Sequence, residues 1–310
     1  MTETSADKKT ITVFGGSGFL GRHVAKALVE RGYKVRAAVR HPEKAGHLAA
    51  THGPGNAEAV KADLRDPEAV ATALKGASAA VNLVGILFES GKQTFQAVQF
   101  EGAKNVADAC SAAGVPLVHV SAIGADARSA SDYARAKAQA ENAVLEALGE
   151  EAVILRPSIV FGPEDNFFNQ FADMSKFSPA LPLIGGGRTK FQPVYVGDVA
   201  EAVAKGIDGE LTGGTIYELG GPDVLTFREC LEEMLKVVGR KRLFAPIPFW
   251  AAKIQGAIFE KLPKPLITRD QVRLLKRDNV VSTEAESENR TLGGIGITPK
   301  SVSEILPTYL

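Results

Sequence analysis

Two groups of residues in this 310-residue chain have types and spacings that can do chemistry. The first is the run Gly15-Gly16-Ser17-Gly18-Phe19-Leu20-Gly21, which follows a β-branched stretch and opens an amphipathic one. Gly15, Gly18 and Gly21 recur at every third position. At that spacing one glycine makes a tight turn, one lets backbone N–H groups approach a pyrophosphate, and one lets helix and strand pack closely. Ser17, Phe19 and Leu20 lie in the same loop. A glycine run placed between the first strand and the first helix predicts a dinucleotide site. The second group is Tyr133 and Lys137, one helical turn apart and so on one helix face. A lysine so placed binds the nicotinamide ribose and favours the tyrosinate, and the phenol can then exchange a proton with a carbonyl or alcohol.

Arg40 narrows the ligand. It stands nineteen residues beyond Gly21, at the end of the second strand, where NAD-binding loops usually carry an acidic residue for the adenosine ribose hydroxyls. An arginine cannot accept those protons, but it pairs with a 2′-phosphate, so the cofactor is expected to be NADP(H) rather than NAD(H). Arg22, Arg36 and His41 are expected to add positive charge nearby. Asp63 and Leu64 follow the third strand and are placed to meet the adenine. Leu83, Val84 and Gly85 follow the fourth and are placed beside the ribose. Their order at successive strand ends makes them a site, because open α/β sheets bind ligands at the carboxyl ends of their strands.

The elements that must position these residues alternate. Strands are expected at 10–14, 34–39, 57–62, 79–84, 116–120 and 152–155, and helices at 18–31, 43–50, 67–74, 94–113 and 132–148. Such alternation predicts an α/β fold with a doubly wound parallel sheet, a Rossmann fold. Regularity stops after Pro157, and 161–188 reads as loop with a short helix. Residues 194–200 read as a strand leading into a helix capped by Asp198, and 216–219 as another strand, both returning to the main sheet. The expected organisation is a disordered lead at 1–9, an NADP-binding domain at 10–165 rejoined by 191–219, and a smaller mixed C-terminal lobe from 166–190 and 220–310.

Composition sets limits. Hydrophobic residues make up 45% and charged residues 23%, which fits a globular protein and excludes disordered and disulfide-scaffold classes. Thirty-six basic residues balance thirty-six acidic ones, leaving no electrostatic footprint for nucleic acid. Cys110 and Cys230 lack metal-ligand or disulfide spacing, so no metal and a reducing compartment are expected. No signal peptide, transit peptide or internal repeat is evident, and the apolar stretch at 79–88 is far shorter than the ~18 residues of a transmembrane helix. In 246–266, Phe249, Trp250, Ile254, Ala257, Ile258 and Leu262 fall mainly on one helical face, with Lys253, Glu260 and Lys261 off it. Two readings stay open: a helix packed on its own lobe, or a surface that docks to a membrane or a partner.

Together, Gly15-x-x-Gly18-x-x-Gly21, Asp63-Leu64, Tyr133-x-x-x-Lys137, residues 156–162 (RPSIVFG) and residues 193–200 (PVYVGDVA) resemble the extended and atypical short-chain dehydrogenase/reductases over nearly the whole chain. Residues 13–22, 119–125 (HVSAIGA), 268–272 (TRDQV), 278–281 (DNVV) and 296–299 (GITP) resemble one branch more narrowly, that of a respiratory complex I accessory subunit and its bacterial relatives. The branch implies tightly held NADP(H) beside the quinone-reducing region, other complex I subunits as partners, and a peripheral place on the cytoplasmic side of a bacterial inner membrane. It also implies that Ser121, Tyr133, Lys137, Pro157 and Ile159 help the glycine loop hold the cofactor. One departure matters. Active extended enzymes place a Ser or Thr one position after the serine that ends the fifth strand, and here that position is Ala122. Losing that donor costs orders of magnitude in rate, so Tyr133 and Lys137 are read as holding cofactor first and as catalytic second. The alternatives are an active NADP(H)-dependent reductase, epimerase or dehydratase, and an NADPH-sensing regulatory protein.

Overall fold

Short apolar runs, each followed by a stretch of helical periodicity, have to form parallel strands with helical crossovers, and the computed structural model of the chain shows this. It describes residues 8–53, 55–263 and 265–310. The strands β1 (Thr10–Phe14), β2 (Lys34–Val39), β3 (Ala57–Lys61), β4 (Ala79–Asn82), β5 (Leu117–Val120) and β6 (Ala152–Pro157) alternate with helices α1 (Phe19–Glu30), α2 (His47–His52), α3 (Pro67–Leu74), α4 (Gly102–Ala113) and α5 (Asp132–Leu148). A seventh strand, Thr215–Leu219, pairs with β6, and the seven lie in the order β3-β2-β1-β4-β5-β6 and then Thr215–Leu219, all parallel. The order reverses between β1 and β4, so a crevice opens at their carboxyl ends.

Strand alternation sends successive side chains to opposite faces. Ile11 and Val13 of β1 join Val24 and Leu28 of α1 in one buried cluster, with Val199 and Val203 of a later helix. Phe14 joins Val70 and Leu74 of α3, Val106 and Cys110 of α4, and Val144 of α5 in the other. The sheet is therefore covered on both sides. Thr12 is buried between them and its hydroxyl donates to the Ala73 carbonyl at 2.9 Å.

Several expectations need correction. The expected helix at 43–50 is two pieces, a 3-10 turn over Pro42–Lys44 and α2, with Gly46 between them. The expected helix at 94–113 begins with a wide π turn, Gln96–Glu101, before α4. Of the lead at 1–9, residues 1–7 lie outside the described residues, while the Lys9 carbonyl accepts the Lys34 N–H and so belongs to the sheet. The strand Val194–Tyr195 pairs with Val160–Phe161 in a small separate sheet rather than returning to the main one. Asp198 is not a cap. Helix α7 (Val196–Ile207) starts two residues earlier, and the Asp198 carboxylate accepts the Lys300 N–H at 2.8 Å, pinning the C-terminal segment.

Beyond β6 the chain adds α6 (Phe168–Phe177), the parallel pair Ala180–Ile184 with Leu243–Ile247, and α8 (Phe227–Val237). Phe161, Phe168, Phe191, Phe227, Leu231 and Met234 form their core. Helices α9 (Phe249–Phe259) and α10 (Arg269–Leu274) follow and pack on each other. Among the described residues no helix is long and apolar enough to cross a membrane.

Candidate cofactor site

The turn from β1 to α1 is held open by its glycines. Gly15 has φ +81°, a left-handed conformation that L side chains rarely adopt. Gly21 is packed so closely on the turn that a Cβ there would lie 2.4 Å from the Gly15 carbonyl oxygen. The loop backbone can therefore reach a ligand that any larger residue would push away. Helix α1 has no side-chain cap and no acidic residue in its first turn. Its unpaired N–H groups and positive dipole end face the crevice, a ready site for an anion.

A cavity of about 340 Å³ lies there, lined by Gly15, Ser17, Gly18, Phe19, Leu20, Gly21, Arg40, Asp63, Leu64, Leu83, Val84 and Gly85. The wall also includes Ala38, Val39, Ala62, Ile86, Gln93 and Val98, so the residues expected from the sequence at an adenosine and pyrophosphate end meet at one cavity with others that were not singled out. Of the four basic residues expected nearby, Arg40 alone lines it. Arg36 sits inside β2 and donates to the Ala73 and Lys75 carbonyls and to Glu58, holding α3 against the sheet. Arg22 pairs with Glu164, and His41 contacts Glu43. Arg40 is exposed and donates to the neutral Gln93 amide. Sequence reasoning missed Arg65, which also lines the cavity and grips the Asp63 carboxylate through Nε at 2.9 Å and a second nitrogen at 2.6 Å. That hydrogen bonding holds the Asp63 carboxyl below its ordinary range. The adenine end thus carries two guanidinium groups.

Tyr133 and Lys137 lie on α5, and neither is among the residues that line this cavity. The Lys137 ammonium is buried, donates to the Val120 carbonyl at 3.2 Å, and lies so near Gly85 that a Cβ there would be 3.6 Å from Nζ. Burial pulls its pKa down to about 8, against a smaller opposing pull from Glu141. Tyr133 stacks edge-on against Phe95, ring centres 5.7 Å apart, and burial pushes its hydroxyl up to about 12. Ser121 is buried and its Oγ lacks a hydrogen-bond partner. Pro157 ends β6, where its carbonyl accepts the Ile123 N–H, and Ile159 packs on the Phe161–Phe168 core, so neither lines the cavity.

Three buried groups at this end were not singled out from the sequence. Gln99, within the π turn, has both side-chain amide atoms buried and unpartnered, with Oε1 3.8 Å from where a Gly85 Cβ would be. His119 receives a hydrogen bond at Nδ1 from the Asn82 amide at 3.2 Å, leaving Nε2 unpaired, and burial pulls its pKa down to about 3. Asp270 of α10 accepts from Ser131 Oγ at 2.6 Å, from Asp132 N at 2.8 Å and from Tyr133 N at 3.2 Å, and so caps the helix that carries Tyr133. Asn279 adds a second clamp, donating to the Ile123 carbonyl at 3.0 Å and accepting from Ser158 Oγ at 2.6 Å. The C-terminal motifs around 268–272 and 278–281 therefore brace the strand and helix ends that frame the site.

These features fit a dinucleotide. A glycine cradle at a free helix end suits a pyrophosphate, and buried unpaired polar atoms near Gly85 cost free energy until a ligand or water satisfies them.

The pattern of the NAD(P)H-binding family matches residues 15–166. A protein of Arabidopsis thaliana named NADH dehydrogenase (ubiquinone) 1 alpha subcomplex subunit 9, mitochondrial, is 38% identical over 288 residues, covering 88% of this chain and 71% of its own length. The chain belongs to the alpha subcomplex subunit 9 family. The Mus musculus member of the family is 30% identical over 93% of this chain and 76% of its own length. The fold extends further. The Thermus thermophilus UDP-glucose 4-epimerase, crystallised with NAD, superposes with a TM-score of 0.69 at 24% identity, covering 96% of each chain.

Proposed function

We propose that this chain is an NADP(H)-holding accessory or assembly subunit of respiratory complex I, in which the cofactor stabilises the fold and is not consumed. The observation that carries the reading is the catalytic corner. Ala122 stands where the resemblance to active extended enzymes calls for a hydroxyl donor, and the neighbouring Ser121 hydroxyl is buried and unpartnered. Burial pushes the Tyr133 hydroxyl up to about 12, which works against the tyrosinate that a proton-accepting role would need. The glycine cradle, by contrast, is complete. Arg40 and Arg65 at the adenine end favour a 2′-phosphate, because guanidinium groups pair with phosphate in a charge-assisted way. Other complex I subunits near the quinone-reducing region are the partners, and the chain lies peripherally on the cytoplasmic side of a bacterial inner membrane. The test is capture of the tagged chain in mild detergent. Complex I subunits are expected in the eluate, and repeated captures without them would overturn the proposal.

A second reading is favoured by one observation. Tyr133 and Lys137 share a face of α5, and Lys137 lies beside the cavity wall at Gly85. An NADP(H)-dependent reductase, epimerase or dehydratase would use that pair. Sustained NADPH oxidation by pure protein with a carbonyl substrate, abolished in Tyr133→Phe, would favour this reading over the first.

A further inference from the structure

Helix α9 turns its small residues inward and its large apolar ones outward. Its buried residues are the small ones, Ala252 and Gly256, while Trp250 is 70% exposed, Ile254 56%, Ile258 60% and, just past its end, Leu262 50%. The reason is a close crossing. A Cβ on Gly256 would lie 2.8 Å from the Arg269 backbone nitrogen, so only a residue without a side chain lets α9 approach the start of α10. Phe249 tucks in the opposite direction, toward Gly185 and the cluster of Ile184, Ala252 and Val272. Trp250, Ile254, Ile258 and Leu262 follow one another at every fourth position, so they form one outward stripe. Folding leaves this stripe in water, although large side chains of this kind are normally the first to be buried.

Its charge surroundings select the occupant. Helix α9 carries one charged side chain, the exposed Lys253, and Lys261 follows on the same exposed run. The single acid there, Glu260, is held by Arg269 through Nε at 2.8 Å and also accepts the Arg269 N–H at 2.7 Å. The protein as a whole is neutral, so this apolar stripe with a basic margin is a local feature. An apolar face carrying a tryptophan and flanked by lysines matches the interface of an anionic bilayer, where the rings and aliphatic chains enter the headgroup boundary and the ammonium groups meet phosphate.

We propose that α9 docks this chain on an anionic lipid surface, lying in the plane of the headgroups with Trp250, Ile254, Ile258 and Leu262 immersed. The proposal extends the subunit reading, which sets the chain beside a membrane complex, and its test separates the two. Trp250 is the chain's one tryptophan, so its emission reports this face alone. Full-length protein is mixed with phosphatidylcholine vesicles and with vesicles containing phosphatidylglycerol, and both sedimentation and Trp250 emission are followed. The expected result is co-sedimentation and a blue shift with the anionic vesicles, weakened by added salt. In Ile254→Ser with Ile258→Ser the affinity falls by about tenfold or more. Because both positions are exposed, the same variant keeps its thermal midpoint and its nucleotide binding. No blue shift with any vesicle, or a shift unchanged by the double substitution, would overturn the proposal. If vesicles fail while the double substitution abolishes capture of complex I subunits, the face docks to protein and the lipid proposal falls. If vesicles bind but no complex I subunit is ever captured, the lipid proposal stands and the subunit reading falls.

Discussion

Replacing Arg40 with alanine tests the choice of cofactor. Arg40 lines the cavity at the carboxyl end of β2, is exposed, and among the described residues donates to the neutral Gln93 amide alone, so its charge is available to a phosphate. A hydrogen bond to a charged group contributes about 1.5–3 kcal/mol, and exposure to solvent places this one at the lower end. A loss of about 1.5–2 kcal/mol corresponds to about a 10–30-fold weaker NADPH complex. NADH, which has no 2′-phosphate, should bind the variant within about twofold of the wild type, since it has no use for that charge. Arg65 lines the same wall, which keeps the loss from being total. The assay is a fluorescence titration of nucleotide-stripped protein with each dinucleotide. Equal weakening of NADPH and NADH would show that Arg40 merely shapes the pocket and would refute the reasoning.

Four further outcomes follow from the same geometry. Gly21→Ala forces a Cβ to within 2.4 Å of the Gly15 carbonyl oxygen, so it should cost about 3 kcal/mol in a urea titration and abolish nucleotide binding. Lys137→Met should stabilise the nucleotide-free protein at pH 7. The folded-state pKa of Lys137 is lowered to about 8 from 10.5, so the native state is penalised while the lysine is charged. The penalty is on the order of 3 kcal/mol, less about 1 for the lost bond to Val120, and it fades as pH rises from 8 to 10.5. Thermal midpoints measured across that range check both sign and window, and equal midpoints at pH 7 would contradict it. His119 is pulled down to about 3, so between pH 6.5 and 3 the unfolded chain binds a proton that the native state refuses. Stability should fall with acid by up to about 1.4 kcal/mol per pH unit from this one group, and His119→Gln should flatten that slope in denaturant titrations. Asp270→Ala removes three hydrogen bonds at the start of α5 and should cost about 3 kcal/mol, with weaker dinucleotide binding as a second readout.

The parts of the fold that were legible in the sequence are those set by local rules. The bounds of β1, β2, α3 and α5 follow from the alternation of strand and helix periodicity and from the glycine loop, whereas the caps at Asp66 and Ser131 were not read from the sequence. Periodicity does not register one extra residue per turn, so the π turn at Gln96–Glu101 read as ordinary helix and Gln99 as an ordinary helix residue. Arg36 was expected to add positive charge beside Arg40, and the structure removes it from the site. Only the residue past the carboxyl end of β2 reaches the crevice, while one inside the strand is committed to its flank. Asp270 fell within a quoted motif, but its role was hidden, because its partner Ser131 is 139 residues away and no spacing rule links α10 to the head of α5. The stripe on α9 could be drawn from the sequence, but not which side faces out. The helix is apolar on most of its circumference, and the steric demand of Gly256 against Arg269 decides the matter.

The proposed subunit role requires that the chain hold NADP(H) without consuming it. Native mass spectrometry of the tagged chain, before and after incubation with carbonyl and quinone substrates, measures this directly. One NADP(H) per chain is expected, retained in the same oxidation state. A chain carrying NAD(H), carrying nothing, or exchanging reduced for oxidised nucleotide during the incubation would contradict it.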